Sequence, residues 1–509
     1  MKLLMGIDLG TSGVKVLVIN QTGKVLVRQT EEYPLLTPRP GWAQQQPQDW
    51  WQATVKAIRA AFHSGRIRPE NIMAIGLTGQ MHGAVFLDGR NRVISPAILW
   101  CDQRTARQCQ TINNLVGDQR VLTITCNPVL TGFQAPKILW LREHFPDRYR
   151  RLQHVLLPKD YLRYLLTGEL ATDVSDASGT SLFDVRQRRW SEEILQRLDI
   201  PLSFLPRVYE SPEITGQVSR LAAAATGLKA GTPVVAGGGD QAAGGVGNGI
   251  VRKGSVSVTI GTSGVVFAHS DEVLQDPGGR LHTFCHAVPG TWHLMGVMLS
   301  AGGAFRWFRD TCCQMEKNLA REKHLEPYDL LTRAAASVPP GCEGLFFLPY
   351  LTGERCPHAD PSARGVFLGL SLSHTHAHLT RAVMEGVTFG LRDSLEIMKE
   401  IHLPVGKKLR ASGGGARSDF WCQLQADIFG CNIVRLANQE GPSLGAAILA
   451  GVGCGLFRDV PGACQTLLKE TDRFTPNRKN VSLYGKVYRV YREIYPQVKP
   501  LFEKLSSLY

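Results

Sequence analysis

The feature that most constrains this sequence is a Gly-Thr-Ser-Gly turn that occurs twice, each time directly after a β-like run. The first copy lies in GIDLGTSGVKVLVIN, from Gly6 to Asn20, and the second lies in VTIGTSGVVFA, from Val258 to Ala268. The first glycines of the two turns are separated by almost half of the 509-residue chain. This spacing predicts two related halves.

The pattern around both turns predicts an α/β fold. Strand-like runs flank each turn, and later segments such as GTPVVAGGGDQ and KLRASGGGARSDFWCQLQADIFG indicate a strand, a glycine turn and then a helix. A chain of 509 residues also exceeds one ordinary hydrophobic core. We predict an N-terminal domain over residues 1–247 and a C-terminal domain over residues 248–509, joined near Gly244–Gly254.

Composition argues against several classes of protein. A hydrophobic fraction of 43% and a charged fraction of 20% are typical of globular proteins. No apolar run is long enough to span a bilayer, and a strand-like LLMGIDLG stands where a signal peptide would begin. We therefore expect a cytoplasmic protein with no membrane partner. The twelve cysteines form no Cys-x-x-Cys pair, so we expect reduced thiols rather than a zinc or disulfide framework.

The formal net charge of +13 has two interpretations. Arginines cluster at residues 148–151 and again at residues 186–189, which would suit a nucleic-acid surface. These clusters lack the interleaved aromatic residues on which bases stack. We therefore favour solvated surface segments and a general preference for anionic small molecules, and we expect no nucleic-acid partner.

Each repeated turn is a candidate phosphate-binding loop. Clustered backbone amides form a concave anion site, and glycine lets the chain approach a ligand closely. Two such loops could hold a polyphosphate from both sides of a cleft. Lys15, just past the first loop, could reach a phosphate or face solvent. The loop residues that we assign to nucleotide binding are Gly10, Thr11, Ser12, Gly261 and Thr262.

The two copies differ at one informative position. Asp8 stands two residues before the first turn, and Thr259 stands at the matching position of the second copy. A hard cation that accompanies ATP favours oxygen ligands and keeps some of its waters. We therefore predict that Asp8 binds Mg²⁺ through water; the alternative is an aspartate that only stabilises the turn.

Three glycine-rich segments add to this pattern. Asp240 ends a Val-rich strand after three glycines, so its carboxylate has open space and suits a base for phosphoryl transfer, although it could also cap the following helix. The segments Ser412–Trp421 and Ser300–Asp310 each open a helix. Because helix N-termini favour negative charge, both segments predict the nucleotide face of the second domain.

Together these motifs resemble the FGGY family of carbohydrate kinases. The resemblance rests on the two phosphate loops, on GGGDQ and on GGGARSDFWCQLQADIFG, and it implies two ribonuclease H-like (actin-type ATPase) domains with a catalytic cleft between them. TGQMHG, residues 78–83, is similar to the sugar loop of family members that phosphorylate xylulose. One departure is Gln134, which stands where the family usually has a small hydroxyl residue or proline.

The resemblance also implies roles. It implies ATP and Mg²⁺ as cofactors, conversion of D-xylulose to D-xylulose 5-phosphate, and Asp240 as the general base. The implied sugar-pocket residues are Gln80, Met81, His82, Asp240 and Gln241, bordered by Trp100, Asp102 and Arg104. The implied nucleotide contacts are Thr11, Thr262, Gly302, Arg306, Gly414 and Gly415.

Several alternatives stay open. L-xylulose, ribulose, a polyol, gluconate or a hexulose could replace D-xylulose, and an actin-like or chaperone-like ATP switch would share the fold without needing a sugar loop. A homodimer is also an option. His374, His376 and His378 form an alternating run that suggests a metal site. Because we see no carboxylate or cysteine partner near them, we interpret them as surface or helix-start residues.

Overall fold

The computed structural model describes residues 2–506 and 508. The strands of the first half are β1 (Leu3–Leu9), β2 (Gly13–Asn20), β3 (Val25–Glu32), β4 (Gln44–Gln45), β5 (Ile72–Gly79), β6 (Val85–Asp88), β7 (Ala97–Ile98), β8 (Leu152–Leu156), β9 (Ala171–Asp173), β10 (Phe183–Asp184), β11 (Arg189–Trp190), β12 (Arg207–Tyr209), β13 (Ile214–Gln217), β14 (Pro233–Val235) and β15 (Gly238–Gly239). Its α-helices are α1 (Pro47–His63), α2 (Ala106–Val116), α3 (Asp118–Thr125), α4 (Gln134–His144), α5 (Pro146–Arg150), α6 (Pro158–Thr167), α7 (Val174–Ala177), α8 (Glu192–Leu198), α9 (Arg220–Thr226) and α10 (Asp240–Gly247).

The second half continues the alternation of strands and helices. Its strands are β16 (Gly254–Ile260), β17 (Gly264–Ser270), β18 (His282–Cys285), β19 (Trp292–Met298), β20 (Phe346–Leu348), β21 (Val366–Leu368), β22 (Val405–Ser412), β23 (Asn432–Leu436) and β24 (Glu470–Phe474). Its α-helices are α11 (Gly302–Cys312), α12 (Gln314–Lys323), α13 (Pro327–Ala336), α14 (His376–Glu400), α15 (Asp419–Phe429), α16 (Pro442–Gly453), α17 (Val460–Leu467) and α18 (Arg478–Ser506). Short 3₁₀ helices cover Pro69–Asn71, Ser178–Thr180, Leu202–Phe204, Cys342–Gly344 and Gly414–Arg417.

Each half is built on a seven-stranded sheet of the same plan. In the first sheet the order β3-β2-β1-β5-β14 places an antiparallel meander beside two strands that run parallel to β1. In the second sheet the order β19-β17-β16-β22-β23 repeats this arrangement with the same strand directions. Both Gly-Thr-Ser-Gly turns join the first two strands of their sheet. The predicted α/β fold class, with two sheet-containing domains, is confirmed.

The strands β1 and β5 are buried on both faces, which explains their nearly continuous apolar sequences. Helix α1 packs against β2 and β3, and it begins with a proline at its first turn and buries Trp50, Ala57 and Ile58. Helix α16, formed almost wholly of small and apolar residues, packs against β1 and β5. This packing fixes the edge of the sheet at which β1 and β5 end.

Two glycines allow the second half to pack on the first. A Cβ atom at Gly6 of β1 would overlap the carbonyl oxygen of Ser443, and one at Gly76 of β5 would overlap that of Ala446. Both carbonyls belong to α16. The halves therefore meet backbone against backbone beneath the ends of β1 and β5.

Two sequence expectations concern the whole chain. All twelve cysteines are free thiols in the structure. Within the described residues, no helix combines the length and the apolar character that crossing a membrane requires.

Candidate active site

A cavity of about 280 Å³ lies between the carboxyl ends of strands from both sheets. Asp8 reaches it from β1, and Asp240 reaches it from the start of α10, directly after β15. The opposite wall includes Thr259 of β16 and Ser412 of β22, whose hydroxyl oxygens lie 2.7 Å apart. Ligands of open α/β sheets bind at the carboxyl ends of strands. The structure thus brings both candidate catalytic carboxylates into one cavity.

The environment of Asp240 suits proton transfer. Burial, followed by the negative charge of Asp8, raises the pKa of Asp240 to about 7. The Gln241 side-chain amide donates a hydrogen bond of 3.3 Å to the carboxylate. Helix α10 is capped by Gly239 rather than by the Asp240 side chain, so the helix-cap alternative is wrong. A carboxyl group that titrates near neutrality can accept a proton and release it again.

Asp8 is half-buried, and the burial of its carboxylate raises its pKa to about 6 although the Lys15 ammonium opposes the shift. Within residues 2–506, its carboxylate accepts no hydrogen bond, so the turn-stabilising alternative finds no support. Lys15 lies opposite Asp8 on β2 and forms an ion pair of 2.9 Å with Glu440. Glu440 also pairs with Arg28. Lys15 therefore borders the cavity, and Glu440 holds its ammonium in place. Sequence reasoning did not identify Glu440.

Gln80 follows β5 immediately, and both the nitrogen and the oxygen of its side-chain amide form hydrogen bonds. Its nitrogen donates to Gln45 at 3.0 Å, and its oxygen accepts from the Thr11 hydroxyl at 3.3 Å. The indole nitrogen of Trp100 donates to the same hydroxyl at 2.9 Å. Thr11, predicted to bind nucleotide, thus connects two predicted sugar-pocket residues, Gln80 and Trp100.

Met81 and His82 complete the loop after β5. The Met81 side chain packs against Gly239, where any Cβ atom would displace it, so Met81 lies beside Asp240. The Nδ1 atom of His82 donates 2.7 Å to the carbonyl of Gly179, and the ring stacks on Phe133 with centroids 4.4 Å apart. Burial lowers the pKa of His82 to about 3. The imidazole is therefore neutral, and its Nε2 is free to accept a hydrogen bond.

Two buried polar residues hold this loop from behind. The Lys137 ammonium donates to the carbonyl of His82 at 2.8 Å and to that of Gly132 at 2.6 Å, and burial lowers its pKa to about 7. Gln134 donates to the carbonyl of Gly83 at 3.1 Å. The residue that departs from the family pattern thus supports the same loop backbone as Lys137.

Asp102 and Arg104 lie at the border of the pocket and bond to each other rather than facing the pocket. The Asp102 carboxylate is fully buried, pairs with Arg104 at 2.7 Å and accepts from the backbone amide of Ala43 at 2.6 Å. The Arg104 guanidinium lies 3.7 Å above the Trp42 ring. Both oxygens of Asp102 are engaged within the protein, so the geometry gives this residue a positioning role.

A second cavity, of about 500 Å³, opens beside the first. Six predicted nucleotide residues line it, namely Gly261, Thr262, Gly302, Arg306, Gly414 and Gly415. Tyr328 and Asp329, to which sequence reasoning assigned no role, also line this cavity, as does Trp421 at the end of the predicted segment Ser412–Trp421. Aromatic walls beside glycine backbone form a slot that suits a flat heterocycle.

The first turn, Gly10–Ser12, lies at the end of β1 and does not line either cavity. The Gly10 amide donates to the carbonyl of Gly13 at 3.0 Å, whereas the Gly261 amide donates to the carbonyl of Ser263, one residue earlier in its turn, at 2.9 Å. The two turns therefore occupy matching places in their sheets but close with different hydrogen bonds. Gly413 lines the first cavity together with a wider basic groove, and Gly414 lines the second cavity together with the same groove, so the three spaces are contiguous. The cations of this groove are Lys15, Lys24, Arg28, Arg417 and Lys469.

A buried cluster of charges lies behind Asp240, and no pattern in the sequence revealed it. The Lys159 ammonium contacts three fully buried carboxylates, at 2.6 Å for Asp160, 2.8 Å for Asp173 and 3.3 Å for Asp176. Asp173 accepts from the Ser175 hydroxyl, which in turn accepts from the amide of Gly239 at 3.1 Å. The cluster therefore fixes the backbone next to Asp240.

The chain is similar to known carbohydrate kinases over most of its length. The profile of the FGGY family of carbohydrate kinases matches residues 3–247 with its N-terminal domain and residues 256–454 with its C-terminal domain. The xylulose kinase of Escherichia coli (strain K12) is 42% identical over 498 residues, which are 98% of this chain and 99% of that protein.

Two solved structures are similar over nearly their whole length. A xyloylose kinase from Brucella ovis superposes with a TM-score of 0.89 at 36% identity, covering 98% of this chain and 100% of that chain. A gluconate kinase from Lactobacillus acidophilus superposes with a TM-score of 0.91 at 27% identity, covering 99% of each chain. The overall fold and the cleft are thus shared with sugar kinases.

Proposed function

The chain belongs to the FGGY family of carbohydrate kinases, and we propose that it transfers the γ-phosphoryl group of ATP to D-xylulose, giving ADP and D-xylulose 5-phosphate. The observation that carries the proposal is the position of Asp240. This half-buried carboxyl group, with a pKa of about 7, lies between the loop of Met81 and the wall of Thr259 and Ser412. The relative from Escherichia coli, which is named a xylulose kinase, supports the choice of sugar.

We assign the sugar to the pocket formed by Gln80, Met81, His82, Gln241 and Trp100. The neutral imidazole of His82 would accept a hydrogen bond from one sugar hydroxyl through Nε2. Gln80 retains one amide N–H for another hydroxyl, because its other contacts are to Gln45 and Thr11. Met81 offers an apolar wall beside Asp240. Asp102 and Arg104 position the neighbouring loop.

The adenine nucleotide would occupy the cavity of about 500 Å³. Its base would lie against Gly414 and Gly415, and Arg306 would approach the ribose and phosphates. The triphosphate would then pass Gly413 toward the cavity of Asp8 and Asp240. In a closed enzyme the amides of the Gly10–Ser12 turn would face it from the other side.

The donor set around Asp8 fits Mg²⁺. A hard divalent ion prefers carboxylate oxygens and is commonly held by one carboxylate, substrate phosphates and waters. Within residues 2–506 the oxygens of Asp8 accept no hydrogen bond, and they face the cavity. When bound there, Mg²⁺ neutralises negative charge on the phosphates.

Asp240 would act as the general base. Its carboxylate accepts the proton of the terminal sugar hydroxyl (O5) while that oxygen attacks the γ-phosphorus and the bond to the β-phosphate oxygen breaks. Gln241 holds the accepting carboxylate, and the chain from Asp173 through Ser175 to Gly239 fixes its backbone. Little other covalent help is needed, since positioning and charge neutralisation supply most of the catalysis.

Closure of the cleft would protect ATP from hydrolysis. We propose that residues 1–247 bind the sugar and residues 248–509 bind the nucleotide, and that the two domains approach each other when both substrates are present. The shared backbone contact beneath Gly6 and Gly76 would serve as the pivot. Water would then be excluded before the phosphoryl group is transferred.

The positive charge of the chain fits this proposal without a nucleic-acid partner. Five cations face the groove beside the nucleotide cavity. The arginine clusters found in the sequence pair with carboxylates, as Arg150 does with Asp147, Arg151 with Asp88 and Arg188 with Glu210. Since ATP is an intracellular metabolite, we place the reaction in the cytoplasm.

A substrate screen tests the proposal. ADP release with Mg-ATP should be fastest with D-xylulose among D-xylulose, L-xylulose, D-ribulose, xylitol, gluconate and a hexulose. Phosphorus NMR of the product should show the phosphate on O5. If none of these compounds stimulates ADP release, the proposed function is wrong, and stimulation by a protein partner instead would favour the ATP-switch alternative.

Gluconate is the second candidate, because the gluconate kinase from Lactobacillus acidophilus shares the whole fold. The positive charge of Arg355 lowers the pKa of His82 slightly, after the larger effects of burial and of Lys137, so a cation lies in the neighbourhood of the sugar loop. A carboxylate substrate would use that cation. If Arg355→Gln abolishes turnover of gluconate but not of D-xylulose, then Arg355 binds the gluconate carboxylate and does not contribute to binding D-xylulose.

A further inference from the structure

Outside the cleft, metal-ligand atoms from two distant parts of the chain come together at the corner between α11 and α12. Cys313 joins the two helices, Glu316 lies in the first turn of α12, and His376 is the first residue of α14. The Sγ atom of Cys313 lies 3.3 Å from Nε2 of His376, and Nδ1 of His376 lies 3.0 Å from a carboxylate oxygen of Glu316. One ligand atom from each residue falls within 4.8 Å of the other two.

This arrangement corrects the sequence interpretation of the histidine run. His376 does begin a helix, as predicted, but the premise that no cysteine or carboxylate lies near it was wrong. Cys313 precedes it by 63 residues. The fold alone brings the residues together, so a search for short ligand spacings could not find the cluster.

We propose that Cys313, Glu316 and His376 form a binding site for Zn²⁺. Thiolate, imidazole and carboxylate are the ligands that this borderline-soft ion prefers. Three protein ligands leave a fourth position for water. Only one nitrogen of His376 can bind the ion, so ligation replaces one of its two present contacts.

One side of the cluster packs against apolar residues, and the other side is partly exposed to solvent. The ring of His376 stacks on Phe308, with centroids 5.4 Å apart and an interplanar angle of 16°, which fixes the imidazole. Cys313 is fully buried, whereas the side chains of His376 and Glu316 are 34% and 27% exposed. The ion would therefore enter from solvent between His376 and Glu316 and meet the thiol from the outside.

The order cysteine, histidine, carboxylate also resembles that of a thiol nucleophile with its base. A nucleophile must reach its substrate, and Cys313 has no exposed surface. Its thiol also donates to the carbonyl of Phe308 at 3.4 Å. A metal ion is small enough to reach the buried thiol between the two partly exposed ligands, whereas an organic substrate is too large to do so.

Ligation exchanges a proton for the metal. Burial, followed by the charge of Glu316, raises the pKa of the Cys313 thiol to about 12. The thiol binds the metal only as thiolate, so one proton leaves the sulfur as the Zn–S bond forms.

Occupation of the site would tie two functional elements together. Helix α11 carries Gly302 and Arg306 of the nucleotide cavity near its start and ends beside Cys313. A bound ion would attach this end to the start of α14.

The test uses the full-length, untagged chain after chelator treatment, with Mg²⁺ in excess to occupy oxygen sites. Titration with Co²⁺ should give one thiolate-to-cobalt charge-transfer absorption per chain, which Zn²⁺ abolishes by displacement. Cobalt held by carboxylate oxygens near Asp8 gives no such absorption. Absence of the charge-transfer absorption in the wild-type chain would overturn the proposal.

Variants identify the ligands. Cys313→Ser should remove the absorption, while His376→Gln and Glu316→Gln should each weaken Co²⁺ binding at least tenfold. The matched controls Cys312→Ser and His374→Gln should bind as the wild type does. Should Cys313→Ser fail to fold, the two surface variants still decide the matter. Unchanged affinity in both of them, or loss of the absorption in Cys312→Ser instead, would contradict the assignment.

Discussion

Asp8 and Asp240 line the same cavity, and the negative charge of Asp8 adds to the effect of burial in raising the pKa of Asp240 to about 7. The two carboxylates come from the ends of different strands of one sheet. Their roles differ because Asp8 faces the Lys15 ammonium, whereas Asp240 accepts a hydrogen bond from the Gln241 amide and has the negative charge of Asp8 nearby. One carboxylate is thereby suited to a cation and the other to a proton.

The first prediction concerns pH. Because Asp240 accepts the proton only when ionised, kcat/KM for the sugar should fall as the pH drops below about 7. Asp8→Asn removes a like charge and should move this acid limb to lower pH, even though it also lowers kcat. Initial rates at subsaturating sugar and saturating Mg-ATP, between pH 5 and 9, measure the limb. An acid limb that stays in place, or moves to higher pH, would contradict the coupling.

The second prediction concerns His82. Burial lowers its pKa to about 3, so the neutral ring should give KM for the sugar no inflection near the usual histidine range. His82→Asn suits the positive φ of 67° at this position and removes the Nε2 acceptor. It should raise KM for the sugar about tenfold, since a lost hydrogen bond costs about 1.5 kcal/mol, with little change in kcat.

Steady-state kinetics with sugar and with ATP separates the effects. KM for ATP should stay the same, and His63→Asn, at the exposed end of α1, serves as the matched control. A large loss of kcat with unchanged KM would instead indicate that His82 acts in the chemical step.

The third prediction concerns the contact between the halves. Gly6→Ala places a Cβ atom against the carbonyl of Ser443, and neither backbone can yield without moving α16 or β1. Overpacking of this kind costs about 1–3 kcal/mol of unfolding free energy. Gly485→Ala, a helical glycine with open space around it, should leave stability unchanged or increase it slightly. Urea unfolding followed by circular dichroism compares the two, and equal midpoints would refute the close approach.

The fourth prediction concerns the buried charge cluster. The carboxylates of Asp160, Asp173 and Asp176 hold the pKa of Lys159 above its usual range against the opposing effect of burial. Lys159→Met leaves these carboxylates without their cation, which should cost about 3–5 kcal/mol of unfolding free energy.

Thermal unfolding measures that cost, with the exposed Lys229→Met as control. Because Ser175 links Asp173 to Gly239, residual Lys159→Met enzyme should also show reduced kcat. Wild-type stability in Lys159→Met would show that the cluster does not depend on its cation.

Part of this site could be predicted from the sequence, and the reason is physical. Gly261 and Gly302 lie in glycine turns beside apolar runs, where local chemistry alone indicates a phosphate or nucleotide loop. Asp240 was recognisable for the same reason, since it directly follows a strand and three glycines.

The remaining features depend on tertiary packing. No local pattern in the sequence distinguishes Lys159 from a surface lysine, and this residue becomes fully buried only when α6, β9 and α7 meet. Glu440 pairs with Lys15 across more than four hundred residues, and His376 meets Cys313 only because α14 packs beside α11. Such contacts carry no local pattern, so composition and spacing could not indicate them.

The most direct test of the account is the turnover of Asp240→Asn with D-xylulose and Mg-ATP. This change keeps the shape of the side chain but removes the proton acceptor, so kcat should fall about 10²–10⁴-fold while calorimetry shows near wild-type affinity for sugar and nucleotide. Asp199→Asn, at a fully exposed carboxylate, should retain normal turnover. Turnover of Asp240→Asn within a few-fold of the wild-type rate would contradict the assignment of Asp240 as the base.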